Sequence, residues 1–247
     1  MEIDKRKNYY LIFDTETTGG DVNIKYIYDI GYIIADKKQV HIKRNYLVKE
    51  IFENKELMAT AYYVNKMPKY LEMVKAGKVE IKPFAEIIKQ LQKDINNYYV
   101  KFACAYNINF DLDALMQTTE LLYVNRFKML FRKTKKGNWC PDYVNFVKTY
   151  VFRKDLEILD IWTWACQTLC KQKTFQTYYK QETAKGNIKS NAEIVYNYVN
   201  DLEGQFIESH TALSDSEVET EILQRMFRLC KPKHNLVAFP FRLIKAS

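Results

Sequence analysis

Five consecutive apolar residues, Tyr9 to Phe13, run directly into Asp14-Thr15-Glu16-Thr17. A short unbroken apolar run is the pattern of a strand buried on both faces, so it needs a packed layer above and below it. This run ends in carboxylates. If extended geometry persists to Glu16, Asp14 and Glu16 point to the same side, because strand side chains repeat every two residues. Two acids at the end of a buried strand repel, and tend to hold protons or a cation. The other reading is that Asp14 caps the turn for which Thr17-Thr18-Gly19-Gly20 supplies the chemistry.

Residues 27–35 (IYDIGYIIA) and 40–48 (VHIKRNYLV) read as an antiparallel hairpin across the polar 36–39. Pro83 opens a helix whose apolar residues Phe84, Ile87, Ile88, Leu91 and Ile95 recur at helical spacing. Residues 99–105 read as a strand, 109–122 as a helix, 156–160 as a strand and 161–171 as a helix. Helices are expected over 191–203 and 211–230, loop over 172–190, and mixed short helix and loop over 54–82. The order predicts an α/β fold, a mixed β-sheet flanked by helices. The 247 residues, 47% hydrophobic, suit one domain with a real core.

Two further acids occupy places like that of Asp14. Asp111 follows a short apolar strand and lies in the first turn of a helix. There it is either a cap favoured by the helix dipole or part of a site. Asp215 lies three residues before Val218 and extends inward the stripe Val218, Ile222, Met226 and Leu229. An acid on such a face is costly unless paired or coordinated. His210 precedes it by five residues.

No apolar run approaches the roughly 18 residues of a membrane span. The N-terminal apolar stretch is too short for a signal peptide, so a soluble, cytoplasmic protein is expected. The five cysteines are irregularly spaced, and Cys166/Cys170 is a weak metal pattern, which argues against a disulfide framework. The formal net charge of +8 is compatible with a polyanionic partner. It is unevenly spread: residues 112–155 hold nine basic and four acidic residues, whereas 191–221 hold eight acids and no Lys or Arg.

Taken together, Phe13-Asp14-Thr15-Glu16-Thr17-Thr18-Gly19 resembles the first motif of the DnaQ-like, or DEDDh, 3′–5′ exonucleases of the ribonuclease H-like superfamily. Asn107-x-x-Phe110-Asp111 resembles the second motif, with Tyr106 where His is often found, and His210-x-Ala212-x-x-Asp215 resembles the third. The resemblance covers about 9–111 and 156–230. It implies a ribonuclease H-like sheet and hydrolysis of nucleic acid from the 3′ end to nucleoside monophosphates. It also implies two divalent ions, Mg2+ or Mn2+, held by Asp14, Glu16, Asp111 and Asp215. Asp14 would bridge both ions, Glu16 and Asp215 would complete one site and Asp111 would serve the other. His210 would be the general base, the backbone around Thr15, Thr17 and Thr18 would bind the terminal nucleotide, and Asn107 would support the site.

The resemblance does not explain residues 112–155, expected as an insertion or subdomain within a single exonuclease domain spanning 1–247. Eight aromatic residues interleave there with Arg132, Lys133, Lys135 and Lys136. Such a segment is either a single-strand-binding surface or a hairpin with an aromatic core and a solvated basic face, turning at Lys135-Lys136-Gly137-Asn138. The expected partner is a single-stranded 3′ end, DNA favoured over RNA. The alternatives are an exoribonuclease, or a non-catalytic subunit that holds nucleic acid or a polymerase. Gln224-Arg225-Met226-Phe227 resembles a clamp-binding peptide only faintly.

Overall fold

The computed structural model describes residues 3–4, 6–19, 24–123, 126–202, 205–229, 236–237 and 239–244. Gly20 of the expected turn, Glu203 of the acidic stretch and Cys230 lie outside the described residues. The strands are β1 (Tyr10–Thr17), β2 (Ile27–Ala35), β3 (Val40–Val48), β4 (Glu80–Lys82), β5 (Phe102–Ala105), β6 (Phe131–Lys133), β7 (Trp139–Pro141) and β8 (Glu157–Asp160). The helices are α1 (Lys49–Phe52), α2 (Lys55–Met58), α3 (Met67–Lys75), α4 (Phe84–Asn97), α5 (Ile108–Leu122), α6 (Tyr143–Tyr150), α7 (Ile161–Gln167), α8 (Ala192–Asn200) and α9 (Ala212–Leu229).

Six strands form one mixed sheet in the order β4-β3-β2-β1-β5-β8. Strand β2 runs antiparallel to both neighbours, and the other pairings are parallel. The alternation of β1 divides the core. Leu11 and Phe13 join Ile87, Leu91, Leu112 and Leu115 of α4 and α5 on one face. Tyr10 and Ile12 join Trp164, Ile222 and Met226 of α7 and α9 on the other. This is the helix-flanked mixed sheet that the apolar run at 9–13 required. Among the described residues no helix is long and apolar enough to cross a membrane.

Helix α9 lies unusually close to the sheet. A Cβ at Gly31 would fall 2.1 Å from the Leu213 amide nitrogen, so only a glycine in β2 admits the helix at this depth. The Ser216 hydroxyl donates to the Gly31 carbonyl (3.0 Å), and the Ala212 amide donates to Asp29 on the same strand face (3.0 Å).

Several local expectations change. Residues 54–82 include the edge strand β4 and helices α2 and α3. The expected loop 172–190 contains a π-helical turn at Phe175–Tyr179. The stripe of α9 ends at Met226, because Leu229 is exposed, and Leu223 takes part instead. Met226 and Phe227 pack inward, Phe227 against Tyr10 and Trp164, so core packing accounts for the clamp-like tetrapeptide. Cys166 and Cys170 are buried in the apolar core.

The basic, aromatic segment divides by structure. Residues 112–122 complete α5, and Leu112, Ala114 and Leu115 are core. The hairpin β6–β7 follows, turning at Gly137, whose positive φ of 87° suits glycine. Phe127, Phe146 and Tyr150 then pack on one another, and Phe146 and Val147 join the main core.

Candidate active site

The site lies where β1 and β5 end, the carboxyl edge at which open α/β sheets place ligands. Asp14 and Glu16 lie on the α9 face of β1, opposite Gly31 and Asp29 of β2. Asp215 reaches the same place from the first turn of α9. One carboxylate oxygen from each of Asp14, Glu16 and Asp215 lies within 4.8 Å of the others. Asp111 lies outside that trio, but it is the charge that acts most strongly on Asp14. It is held from β1 itself: Asp111 Oδ1 accepts from the Thr15 amide (3.1 Å) and the Thr15 hydroxyl (2.8 Å).

The turn into α5 is set by an acid that lies outside all three motifs and that sequence reasoning misses. Asp160, at the end of β8, accepts from the Asn107 amide (3.0 Å) and the Ile108 amide (3.3 Å), and also caps α7 through Thr163. Asn107 takes a left-handed conformation (φ 67°), which asparagine tolerates better than most residues. Its place is therefore at the turn that aims Asp111. Thr15 is buried as the donor to Asp111. Thr18 is fully buried, with its amide given to the Tyr26 carbonyl. Thr17 is half-buried at the bulge where β1 leaves β2.

His210 stands two residues before α9 in a left-handed conformation (φ 48°). Its Nδ1 is 3.8 Å from Glu208 and 3.9 Å from Asp215, beyond hydrogen-bonding distance. Two residues from the stretch that read ambiguously hold it there. The Tyr63 ring stacks on the imidazole with centroids 4.8 Å apart. Lys66 Nζ donates to the Ser209 carbonyl (2.8 Å) and the His210 carbonyl (3.3 Å).

Burial dominates the electrostatics. It raises the carboxyl pKa values of Asp14, Glu16, Asp111 and Asp215 above their ordinary range. Neighbouring acids add to this, and Lys66 offsets part of it at Glu16 and Asp215. The Thr15 hydrogen bonds offset part of it at Asp111. Asp29, buried and paired with Glu16 across β1 and β2, is pushed up to about 6, and Glu208 to about 8. Burial and the Lys66 charge lower His210, so its imidazole is neutral at neutral pH.

The donor set fits a hard divalent cation, since carboxylate oxygens from distant chain positions converge on one point. Asp215 Oδ1 is buried and has no hydrogen-bond partner among the described residues, as expected of an oxygen awaiting a ligand.

The structure does not bring Arg132, Lys133, Lys135 and Lys136 into this cluster. They lie on the β6–β7 hairpin, where Phe131 and Trp139 are also exposed. The hairpin is tied to the site's edge: the Tyr143 hydroxyl, just after β7, donates to Asn109 Oδ1 (3.2 Å), two residues before Asp111.

No protein-family model and no curated protein sequence matches the chain. Among solved structures it is similar to E. coli exonuclease I bound to a dT13 oligonucleotide, with a TM-score of 0.56 and 14% identity. That match covers 90% of this chain and 42% of the other. The apo form of that enzyme gives a TM-score of 0.57 and 13% identity, over 90% and 42% of the two chains. Its product-bound form gives 0.56 and 13%, over 90% and 44%. The chain thus spans about two-fifths of the length of these structures, and what it shares with them is the ribonuclease H-like fold.

Proposed function

We propose that the chain is a divalent-metal-dependent 3′–5′ exonuclease that hydrolyses an unpaired 3′ end to nucleoside monophosphates, with DNA preferred. The observation that carries this reading is the convergence of Asp14, Glu16 and Asp215 within 4.8 Å, with Asp111 acting on Asp14 and His210 beside Asp215. The exonuclease I fold, described there in complex with dT13 and dA16 oligonucleotides, supports the substrate class.

In this reading Asp14, Glu16, Asp215 and Asp111 would hold the divalent ions; Mg2+ or Mn2+ suits the all-oxygen set. A bound pair would neutralise phosphate charge and make water a better nucleophile. His210, uncharged at neutral pH, is the group able to take the proton from the attacking water. Glu208 and Asp215 flank its Nδ1 at 3.8 and 3.9 Å. Tyr63 and Lys66 hold the imidazole in place for that transfer. Thr15 positions Asp111. The β6–β7 hairpin, with Trp139, Phe131 and its basic side chains, would grip the strand upstream of the cut by stacking and phosphate contact.

The test is cleavage of 5′-labelled DNA and RNA oligomers, single- and double-stranded, with Mg2+, Mn2+ or EDTA. Metal-dependent shortening from the 3′ end, absent in Asp14→Ala, is the expected result. Cleavage that resists EDTA, or no cleavage of any oligomer with either metal, overturns the proposal. The second result would favour a binding subunit of the same fold. Preference for the RNA oligomers would move the substrate to RNA and leave the mechanism intact.

A further inference from the structure

One turn beyond Asp215 on α9 stands an acid that the three motifs do not include. Glu219 is only 2% exposed. Its position four residues after Asp215 puts it on the same helix face, the face that α9 lays against β1 and β2. Asp111, Asp215 and Glu208 all repel it, and among the charges acting on Asp14 it comes second only to Asp111. The Glu219 carboxyl accepts from the backbone amide of Tyr106, the residue that follows β5 and leads into the turn before α5, so the side chain points to the end of β5 beside the site.

Among the described residues, two buried acids away from the site, Asp94 and Asp160, have their carboxylate oxygens satisfied, whereas Asp29 Oδ1 and Asp215 Oδ1, beside the site, have no partner. Asp94 accepts from Tyr32, Arg44 and Gln90. Asp160 accepts from two backbone amides of the α5 turn and from Thr163. Glu219 has only the Tyr106 backbone amide beside it, and its Oε2 has no hydrogen-bond partner among the described residues. An unpaired buried carboxyl oxygen is costly. Here it faces acids, which cannot donate to it when ionised. A cation on the Asp14–Asp111 side would satisfy all three groups together.

We propose that Glu219 is a fifth carboxylate of the divalent-ion centre, completing the side of that centre formed by Asp14 and Asp111. This rests on the nuclease reading above. It also accounts for a buried glutamate one helical turn past the last motif residue.

The test is calorimetric titration of the whole chain with Mn2+ in the presence of thymidine monophosphate, a product that cannot turn over. Wild type, Asp14→Asn and Glu219→Gln are compared, and each is melted in EDTA. Asp14→Asn is expected to lose Mn2+ binding. Glu219→Gln, which keeps shape and the contact with the Tyr106 amide, is expected to weaken Mn2+ binding about 10–100-fold. Its melting temperature in EDTA should be unchanged or raised. Wild-type Mn2+ affinity in Glu219→Gln overturns the inference, and a lowered melting temperature with that affinity would assign Glu219 to structure alone. No Mn2+ binding by the wild type would overturn the nuclease reading and this inference with it. Should Glu219→Gln not fold, Glu219→Asp decides. It keeps the acid but withdraws it by one methylene, so it must bind Mn2+ more weakly than wild type, and unchanged affinity overturns the inference.

Discussion

Without metal, the folded protein should lose stability as pH rises across neutrality, and a divalent ion should remove that loss. The perturbation is pH itself. Asp14 and Glu219 are held well above the ordinary carboxylate range, chiefly by burial. Glu208 is raised to about 8 by burial and by the Asp215 and Glu193 charges. Near pH 6.5 Glu208, and Glu16, which is raised to about 9, keep protons in the folded state that the unfolded chain has released. A raised carboxyl pKa contributes stability that is complete below the unfolded value and is lost as pH climbs through the folded value. Each retained proton therefore makes stability fall by about 1.4 kcal/mol per pH unit. Asp29, raised from 3.8 to about 6, accounts by itself for a loss of about 3 kcal/mol once pH passes 7. His210 acts in the opposite sense. Its folded pKa is lowered, so it gains stability as pH rises toward its unfolded value near 6.5, by at most one proton's worth. The net slope is thus negative from about pH 6 to 8.

At about 2–4 °C per kcal/mol for a chain of this size, one uncompensated proton corresponds to a melting-temperature fall of about 3–6 °C per pH unit. Differential scanning calorimetry in EDTA across pH 5.5–8 measures this slope directly. Saturating Mn2+ should flatten or reverse it, because the ion binds ionised carboxylates and is held more tightly as pH rises. A melting temperature in EDTA that stays level or climbs over this range, with no response to Mn2+, would show that the acids are not buried against one another as described.

Gly31→Ala places a methyl group against the α9 backbone at Leu213 and should destabilise the protein by about 2 kcal/mol or more. Urea unfolding would measure this, and a midpoint equal to wild type would refute the close docking of α9. His210→Ala should cut the cleavage rate about 10²–10⁴-fold while Mn2+ affinity changes little. Parallel loss of both in a calorimetric titration would make His210 a ligand instead. Neutralising Arg132, Lys133, Lys135 and Lys136 together should weaken binding of long oligomers, lowering the salt slope by about 0.7 for each phosphate no longer neutralised. Filter binding across oligomer lengths would measure it, and wild-type affinity for the longest oligomer would return the hairpin to a purely structural role.

What could be read from the sequence follows from how local the determining contacts are. Strands β1 to β3 declare themselves as short apolar-rich runs bounded by polar turns, and helices α4, α5 and α9 by burial at helical spacing, and the four motif acids stand out against that pattern. Strand β4 carries no such signal. Its three residues include one apolar side chain, Ile81, and they are a strand because the backbone docks in parallel beside β3. Tyr63 and Lys66 are invisible for the same reason, since their role is a contact with His210 made across more than 140 residues. Asp29 and Glu219 differ. Each is an acid inside a periodic apolar stretch, the signal that marked Asp215, and each could have been found by asking what its face of the strand or helix meets. The acid-rich 191–221 stretch shows why counting charge is not enough. Glu217 and Glu221 turn outward to Lys43 and Tyr196, while Asp215 and Glu219, on the other face of the same helix, turn inward toward Asp14. The periodicity of α9 separates the two sets, so the position of an acid on the helix, more than the charge of the segment, decides which acids can share an ion.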